Sequence, residues 1–363
     1  MTSPVPYSPS VEQPKPDEGE TIQGLKGAFK TILDTTSKDY GHAVRSVHAK
    51  GHGIVTGTFT VLDDLPPELA QGLFAQGGEY EAVLRISTAP GDILDDAVSS
   101  GRGFSLKVFG VPGDRLPGSD DGEQDFLMVN GPVFGAPDPA TFLKNLKLLA
   151  ATTDKAEGAK KVLSATLRVV ESAIEALGGK SSLITQLGGA AEVHPLGETY
   201  FSQTAYRYGD YIAKFSLRPV SAGLTEVSGD IVNVHGRPDA LREDVRERMI
   251  ENGGTWQFCV QLCTDLEKMP VEDPTVEWDE KLSPFIPVAT LSVAPQLSWE
   301  NGASQAREDV LAFSPWHGLA AHQPLGGVNR ARRDTYEYSA GYRADFNGCP
   351  MHQVKQLEDL DAR

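Results

Sequence analysis

Short stretches of β-type sequence recur along most of the chain, and Gly, Pro and Asp residues interrupt them. The stretches are Gly51–Leu62, Glu81–Thr88, Gly101–Phe109, Gln124–Val129, Tyr200–Tyr206, Tyr211–Pro219, Thr225–Val234 and Thr255–Thr264. Strands that turns separate in this way favour an antiparallel β-barrel. Together with the helical stretches described next, they predict an α+β fold, an antiparallel β-barrel with flanking and inserted helices.

Helical periodicity appears between and around these strands. Apolar residues recur at helical spacing over residues 21–40, and residues 139–187 predict two further helices. A shorter helix is predicted from Leu65 to Phe74. Residues 1–20 are rich in Pro, Ser and acidic residues, which is typical of a disordered or surface-wrapping arm. We therefore expect this arm, followed by one domain over residues 21–363.

The composition limits the kinds of partner. A formal net charge of −17 disfavours nucleic acid and anionic membranes, because both repel an acidic surface. The sequence contains no apolar run near the roughly 20 residues that span a bilayer. The N-terminal residues lack the apolar segment of a secretory signal, so a cytoplasmic protein is expected.

A chemically suggestive segment lies near the C-terminal end, at Arg332-Arg333-Asp334-Thr335-Tyr336, and it runs on to Arg343. In a helix, Arg332 would lie one turn before Tyr336 on the same face, and Arg343 about two turns after it. A guanidinium held against a phenol oxygen favours the phenolate. A phenolate is one of the few axial ligands that haem proteins use. The ordinary alternative is an exposed basic helix with a half-buried tyrosine.

Far upstream lies the segment Arg45-Ser46-Val47-His48-Ala49-Lys50-Gly51, and Gly57-Thr58-Phe59 follows it. This run resembles the distal haem motif of the catalase superfamily, Arg-x-Val-His-Ala-Lys-Gly ahead of a Gly-x-Phe strand. The Arg-x-x-x-Tyr segment with its later Arg is similar to the proximal motif of that superfamily. The resemblance implies a catalase-like barrel that binds haem b between His48 and Tyr336.

The resemblance also implies catalytic roles. His48 would take a proton from iron-bound peroxide and deliver it to the departing oxygen. Ser87 would hydrogen-bond the imidazole and hold its orientation, and the amide of Asn130 would bind the peroxide. Each has an ordinary alternative: a histidine in the core, a serine on a barrel face, and an asparagine in an Asn-Gly turn.

Further residues would hold the cofactor. Tyr336 would ligate the iron, with Arg332 beside it. Two propionates need cations when they are buried, and three arginines match the family's propionate ligands. These arginines are Arg45, Arg85 and Arg343, and the apolar lining would come from Val47, Phe134 and Phe142. Gln203 falls where the family often has a proximal histidine. As alternatives, the arginines could form surface salt bridges and the rings could belong to the core.

The sequence departs from the family pattern in three places. We expect the chain to lack the C-terminal helical domain of full-size catalases, because few residues follow the Tyr336 helix. The other two departures concern the size of the site. Gly135 stands where a second Phe is common, and Ser100 stands where a channel Asp is usual. A wider and less polar pocket would result, which favours a small catalase-related haem peroxidase over fast dismutation of hydrogen peroxide.

The resemblance leaves three functions open. The first is a haem-dependent peroxidase or catalase-like oxidoreductase acting on hydrogen peroxide or organic hydroperoxides, including lipid-derived ones. The second is rearrangement of fatty-acid hydroperoxides, as in the catalase-related allene oxide synthases. Those enzymes typically carry Thr where this chain has Val47. The third is a non-enzymatic haem carrier. The sequence is compatible with a homodimer but contains no feature that specifies one.

Overall fold

Nine strands form one sheet in the computed structural model, which describes residues 3–119, 122–150, 192–348 and 354–360. The strands are β1 (Gly51–Val61), β2 (Gly78–Thr88), β3 (Arg102–Val108), β4 (Gln124–Val129), β5 (Tyr200–Phe201), β6 (Tyr206–Tyr208), β7 (Tyr211–Pro219), β8 (Gly254–Leu262) and β9 (Ile286–Val293). Every pairing is antiparallel. The strand order is β5-β4-β3-β2-β1-β9-β8-β7-β6.

A pairing between β5 and β7 closes this sheet into a barrel. Tyr200 of β5 lies opposite Leu217 of β7, and Tyr206 of β6 lies opposite Ala213 of the same strand. Strands β5 and β6 therefore share one edge of β7, and the remaining ring is continuous. The predicted α+β fold with an antiparallel barrel is confirmed.

Aromatic side chains fill the inside of the barrel. Phe126 and Phe258 have ring centroids 4.6 Å apart, and Phe59, Phe74 and Phe215 pack around them. Alternation along each strand sends these rings inward, where close packing excludes water. Because the interior is a packed core, a large planar ligand needs space outside the barrel wall.

The helices lie around the barrel. They are α1 (Glu18–Tyr40), α2 (Pro139–Ala150), α3 (Ala240–Asn252), α4 (Ala303–Val310) and α5 (Gly327–Asn347). Leu25, Phe29 and Ile32 of α1 pack with Leu146 of α2 and Ala331 of α5. Their helical spacing puts these apolar residues on one face, so the three helices form a layer beside the barrel. None of the described helices has the length and apolar character needed to cross a membrane.

Two predicted elements are wrong. Thr225–Val234 is not a strand, because a helical turn covers Ala222–Thr225 and the pairing within 225–234 is one isolated bridge from Ile231. Its valines are buried in separate clusters, which produced a strand-like pattern without a neighbouring strand. The predicted helix Leu65–Phe74 is a short 3-10 turn at Gly72–Phe74. Of the two helices predicted over residues 139–187, α2 is the first, and the second lies outside the described residues.

The N-terminal arm runs along the barrel and the start of α5. The backbone amide of Val5 donates to the carbonyl of Cys263 at 2.8 Å, and that of Tyr7 donates to Asp210 at 2.7 Å. Arg330 of α5 forms ion pairs with Glu12 and Glu18, at 2.8 Å each. These contacts join the arm to the element that carries Tyr336.

Candidate active site

His48 lies in the connection between α1 and β1 and has an unusual backbone conformation. Its φ of 54° is in the left-handed region, which costs a non-glycine residue about 1–3 kcal/mol and is frequent at functional sites. Its amide donates to the carbonyl of Ala89 at 2.8 Å. Its Nδ1 lies 3.1 Å from the Oγ of Ser87, on the face of β2 opposite to the barrel core. The structure therefore holds the imidazole in one orientation from both backbone and side chain.

The electrostatic surroundings keep this imidazole neutral. Desolvation, together with the positive charges of Arg85, Arg332 and Arg45, lowers the pKa of His48 to about 3. The contribution of Arg332 shows that α5 lies within electrostatic reach of the histidine. At neutral pH the imidazole is therefore uncharged, and one of its ring nitrogens can accept a proton.

Gly103 of β3 makes room for the imidazole. A Cβ built on Gly103 would lie 2.5 Å from Nδ1 of His48 and 2.8 Å from Oγ of Ser87. Both distances are far below van der Waals contact, so a side chain at this position would displace the ring. A glycine inside a strand is a known sign of close approach by another group, but the sequence does not show which group approaches.

Replacement of Gly103 by Ala should therefore lower the free energy of unfolding by about 1–3 kcal/mol, the usual cost of overpacking. Gly101→Ala is the matched control, since its Cβ would meet nothing closer than 3.9 Å. Chemical denaturation of both variants measures the difference. Equal stability of the two variants would contradict the close packing of His48 on β3.

Arg45 and Arg85 converge on the carboxylate of Glu308 in α4, and Arg343 binds the backbone of the same residue. Nε of Arg85 lies 2.8 Å from both carboxylate oxygens of Glu308, and Nη1 of Arg45 donates to Oε2. Arg343 donates to the backbone carbonyl of Glu308 at 3.1 Å. The sequence predicted a role for each arginine separately. Only the structure shows that all three contact Glu308.

Burial and the repulsion between neighbouring guanidinium groups lower the pKa values of Arg85 and Arg343. Burial, with the charge of Arg45, lowers the pKa of Arg85 to about 10 and that of Arg343 to about 9. Burial raises the pKa of Glu308, but the charges of Arg45 and Arg85 outweigh it and hold that pKa below its ordinary value. The group therefore carries excess positive charge and favours anions.

Helix α5 presents a row of polar residues to the His48 segment. Arg332, Tyr336, Ser339 and Arg343 lie at helical spacing on one face. The hydroxyl of Ser46 donates to Oγ of Ser339 at 3.0 Å, which ties the residues beside His48 to the middle of this row. Tyr336 is half-buried between Arg332 and Ser339. The two motifs, far apart in sequence, are thus adjacent in the fold.

Arg332 is held in a different way from the one expected. It donates to Oδ1 of Asn329 at 3.1 Å and to Oγ1 of Thr204 at 3.4 Å. Its guanidinium carbon lies 5.5 Å from the centre of the Phe134 ring. The expected bond to the Tyr336 oxygen is not among its contacts in the described part of the chain. The guanidinium instead donates to Asn329, which lies one turn earlier on α5.

The Asn130 segment follows β4. Oδ1 of Asn130 accepts from the backbone amide of Arg102 at 2.7 Å, and its Nδ2 donates to Glu198 at 3.0 Å. Gln203, with a left-handed φ of 61°, donates to the carbonyls of Gly131 and Val133. Gln203 therefore supports the loop after Asn130, and the amide of Asn130 fixes the start of β3.

Apolar side chains complete the region. The rings of Phe134 and Phe142 are 5.2 Å apart, and both pack near Val328 of α5. Val47 and Phe142 are partly buried against the cluster that joins α1, α2 and α5. The predicted lining residues therefore lie on the side of the barrel where His48 and α5 meet.

A separate polar cluster could in principle hold a metal ion. Ligand atoms of Glu123, Asp125 and His317 lie within 4.8 Å of one another. Lys107 sits among them, with Nζ 2.8 Å from each carboxylate. The ammonium already supplies the positive charge that a metal would bring, so this cluster stabilises the barrel wall.

Comparisons with known proteins agree with this architecture. Catalase A from Saccharomyces cerevisiae superimposes with a TM-score of 0.59 at 18% identity, covering 88% of this chain and 66% of that one. A fungal catalase gives a TM-score of 0.61 at 20% identity, covering 88% and 63%. A bacterial catalase gives 0.56 at 17% identity, covering 90% and 63%. The chain thus spans less than two thirds of each of these catalases.

Two further comparisons use sequence alone. The chain is 24% identical to linolenate 9R-lipoxygenase from Nostoc sp. in an alignment 365 residues long, which covers 88% of this chain and 42% of that protein. The catalase family model matches residues 42–298, a range that includes His48, Ser87 and Asn130. Tyr336 and Arg343 lie beyond that range. Since the match covers most of the chain and the barrel is the same, the chain belongs to the catalase family.

Proposed function

We propose that this protein is a haem-dependent oxidoreductase that reacts with hydrogen peroxide or organic hydroperoxides. The observation that carries the proposal is the attachment of the His48 segment to α5 through Ser46 and Ser339, 3.0 Å apart. This contact brings the segment that carries a neutral imidazole against the helix that carries a half-buried phenol, outside the packed barrel. Members of the catalase family bind haem, and these two groups are suited to opposite sides of it.

The charges of the region fit the carboxylates of haem b. Three guanidinium groups outnumber the one carboxylate of Glu308, so the group attracts the carboxylates of a ligand. Nε of Arg343 is buried and has no hydrogen-bond partner among the described residues. A buried donor without an acceptor is costly, so an added carboxylate would be stabilising here.

Each residue then has a defined task. Tyr336 would hold the iron, Arg45, Arg85 and Arg343 would bind the propionates, and Val47, Phe134 and Phe142 would line the apolar faces. Ferric haem, when bound, supplies the redox chemistry of O–O bond cleavage. Arg332, held by Asn329 and Thr204, would keep a positive charge near the phenolate end of the site.

His48 would move the proton. With Nδ1 directed at Oγ of Ser87, its other nitrogen, Nε2, is left to accept a proton from the peroxide oxygen. The same nitrogen then returns that proton to the departing oxygen as water or an alcohol. Ser87 contributes by holding the tautomer in which Nε2 has a free lone pair. The amide of Asn130, already bonded to Glu198, would reach a peroxide only if that bond were exchanged.

A second candidate is rearrangement of a fatty-acid hydroperoxide. The similarity to linolenate 9R-lipoxygenase favours it, since the name of that protein states a fatty-acid substrate. Gly135 and Ser100 in place of bulkier and acidic residues would leave space for a long apolar chain. Val47 in place of the usual Thr favours the peroxidase.

Three measurements on one preparation test the proposal. The purified protein, or the protein reconstituted with haemin, should show the absorption spectrum of tyrosinate-ligated ferric haem. Rapid mixing with hydrogen peroxide should change that spectrum within seconds, and a reducing organic donor should restore it. A haem carrier would give the spectrum but no reaction. Conversion of a lipid hydroperoxide to a rearranged product without consumption of a donor would favour the second candidate.

A further inference from the structure

Glu308 occupies the centre of the arginine group, although no sequence motif points to it. It lies near the end of α4, and its side chain is 13% exposed. Both carboxylate oxygens bind guanidinium groups, from Arg45 and Arg85. The structure thus contains a carboxylate of the chain itself at the position where the proposed function needs carboxylates of a ligand.

The backbone of α4 and the residue after it reinforces this negative charge. Carbonyl oxygens of Glu308 and Leu311 accept from Arg45 at 3.2 and 2.8 Å, and from Arg343 at 3.1 and 3.5 Å. The C-terminal end of a helix carries a partial negative charge, so these oxygens add to the carboxylate. The end of α4 therefore accepts hydrogen bonds from all three arginines, while Nε of Arg343 stays unpartnered among the described residues.

Helix α4 is short and is anchored at its end. It is eight residues long, and Ser304 is its one buried residue. Val310 packs partly against the apolar cluster that contains the buried Leu311. The backbone of α4 is therefore held in place, and the Glu308 side chain is the part that can exchange its partners.

We propose that Glu308 is an internal counter-ion that competes with the carboxylates of the haem for Arg45, Arg85 and Arg343. This inference rests on the proposed function, because it assigns the same arginines to the cofactor. In the haem-free protein the carboxylate of Glu308 binds Arg45 and Arg85, and its backbone carbonyl binds Arg343. When haem binds, its propionates take over these donors and the side chain of Glu308 withdraws. Haem affinity is therefore lower than the arginines alone would provide.

Glu308→Gln tests the competition, because it keeps the shape of the side chain and removes its charge. Titration of haem-free protein with haemin, followed in the Soret band, should show binding at least about tenfold tighter than in the natural protein. Haemin dimethyl ester, which lacks both carboxylates, should bind the two proteins equally. Glu300→Gln, which removes an exposed acid just before α4, is the control and should change neither affinity.

Unchanged or weaker haemin binding by Glu308→Gln would overturn the inference, because a supporting residue would behave in that way. Equal tightening for haemin and for its dimethyl ester would also overturn it, since the carboxylates would then play no part.

A second experiment needs no haem. Glu308→Ala leaves the buried guanidinium of Arg85 and the partly buried one of Arg45 without their carboxylate, so its midpoint of thermal unfolding should fall by several degrees. Acetate or sulfate should restore part of that loss in comparison with chloride at equal ionic strength, and should have little effect on the natural protein. Absence of anion-specific rescue would overturn the inference. Rescue without any haemin binding would retain Glu308 as the internal anion and reject the haem enzyme.

Discussion

Replacement of Tyr336 by Phe is expected to abolish stable haem binding, or to shift the ferric spectrum strongly where some binding remains. Phenylalanine keeps the ring in its half-buried place on α5 and removes only the oxygen that would ligate the iron. Loss of groups that merely support a metal ligand costs about 10- to 100-fold in affinity, so loss of the ligand itself should cost at least about 100-fold. Haemin titration and the absorption spectrum of the variant measure both effects.

The matched control for this variant is Tyr338→Phe, the same substitution two residues further along α5 and on a different face of the helix. It should bind haemin as the natural protein does, with an unchanged spectrum. An unchanged spectrum in Tyr336→Phe would remove Tyr336 as the ligand. The iron would then be ligated by a different residue.

Replacement of His48 by Ala should leave haem bound and slow the reaction with peroxide by about 10²- to 10⁴-fold, the usual contribution of a positioned general base. The imidazole accepts a proton only while it is neutral, and its pKa is lowered to about 3. Neutral His48 therefore predominates above pH 3, and protonation removes the base only as the pH falls towards that value. The part of the rate that depends on His48 should be constant from pH 8 to about pH 5.

Stopped-flow mixing of each haem-loaded variant with hydrogen peroxide provides this measurement. His42→Ala is a suitable control, since His42 is exposed and pairs with Asp309, away from the Ser87 contact. A full rate in His48→Ala would remove His48 from the reaction. A fall in rate near pH 6.5 that disappears in His48→Ala would show that the imidazole is not desolvated as the structure indicates.

The presence of most strands could be derived from the sequence. Short runs rich in apolar residues between turn residues, at Glu81–Thr88 and Gln124–Val129, predict strands. The same argument failed for Thr225–Val234, where Val and Ile residues recur but no neighbouring strand forms a continuous ladder. Apolar content indicates that a segment is buried, and it does not indicate the partner that buries it.

The candidate site, too, could be predicted from the sequence only in part. Arg332, Tyr336 and Arg343 are notable in the sequence for their residue types and helical spacing. Arg45, His48 and Arg85 are notable for the resemblance of their segments to the catalase superfamily. Their convergence could not be derived from the sequence, because Arg45 and Glu308 are 263 residues apart and meet only when the barrel has closed and α4 lies against it. Likewise, a glycine at position 103 is visible in the sequence, but the imidazole that it accommodates is not.

The amino-acid sequence by itself determined the local conformations and the chemical groups available, since these depend on neighbours a few residues away. The tertiary structure alone decided that Glu308 pairs with the arginines, that Asn329 captures Arg332, and that Glu198 binds the amide of Asn130. Such pairings depend on which donors and acceptors are left unsatisfied when distant segments pack together. Burial makes each unsatisfied group costly, and the fold selects the partners that satisfy them.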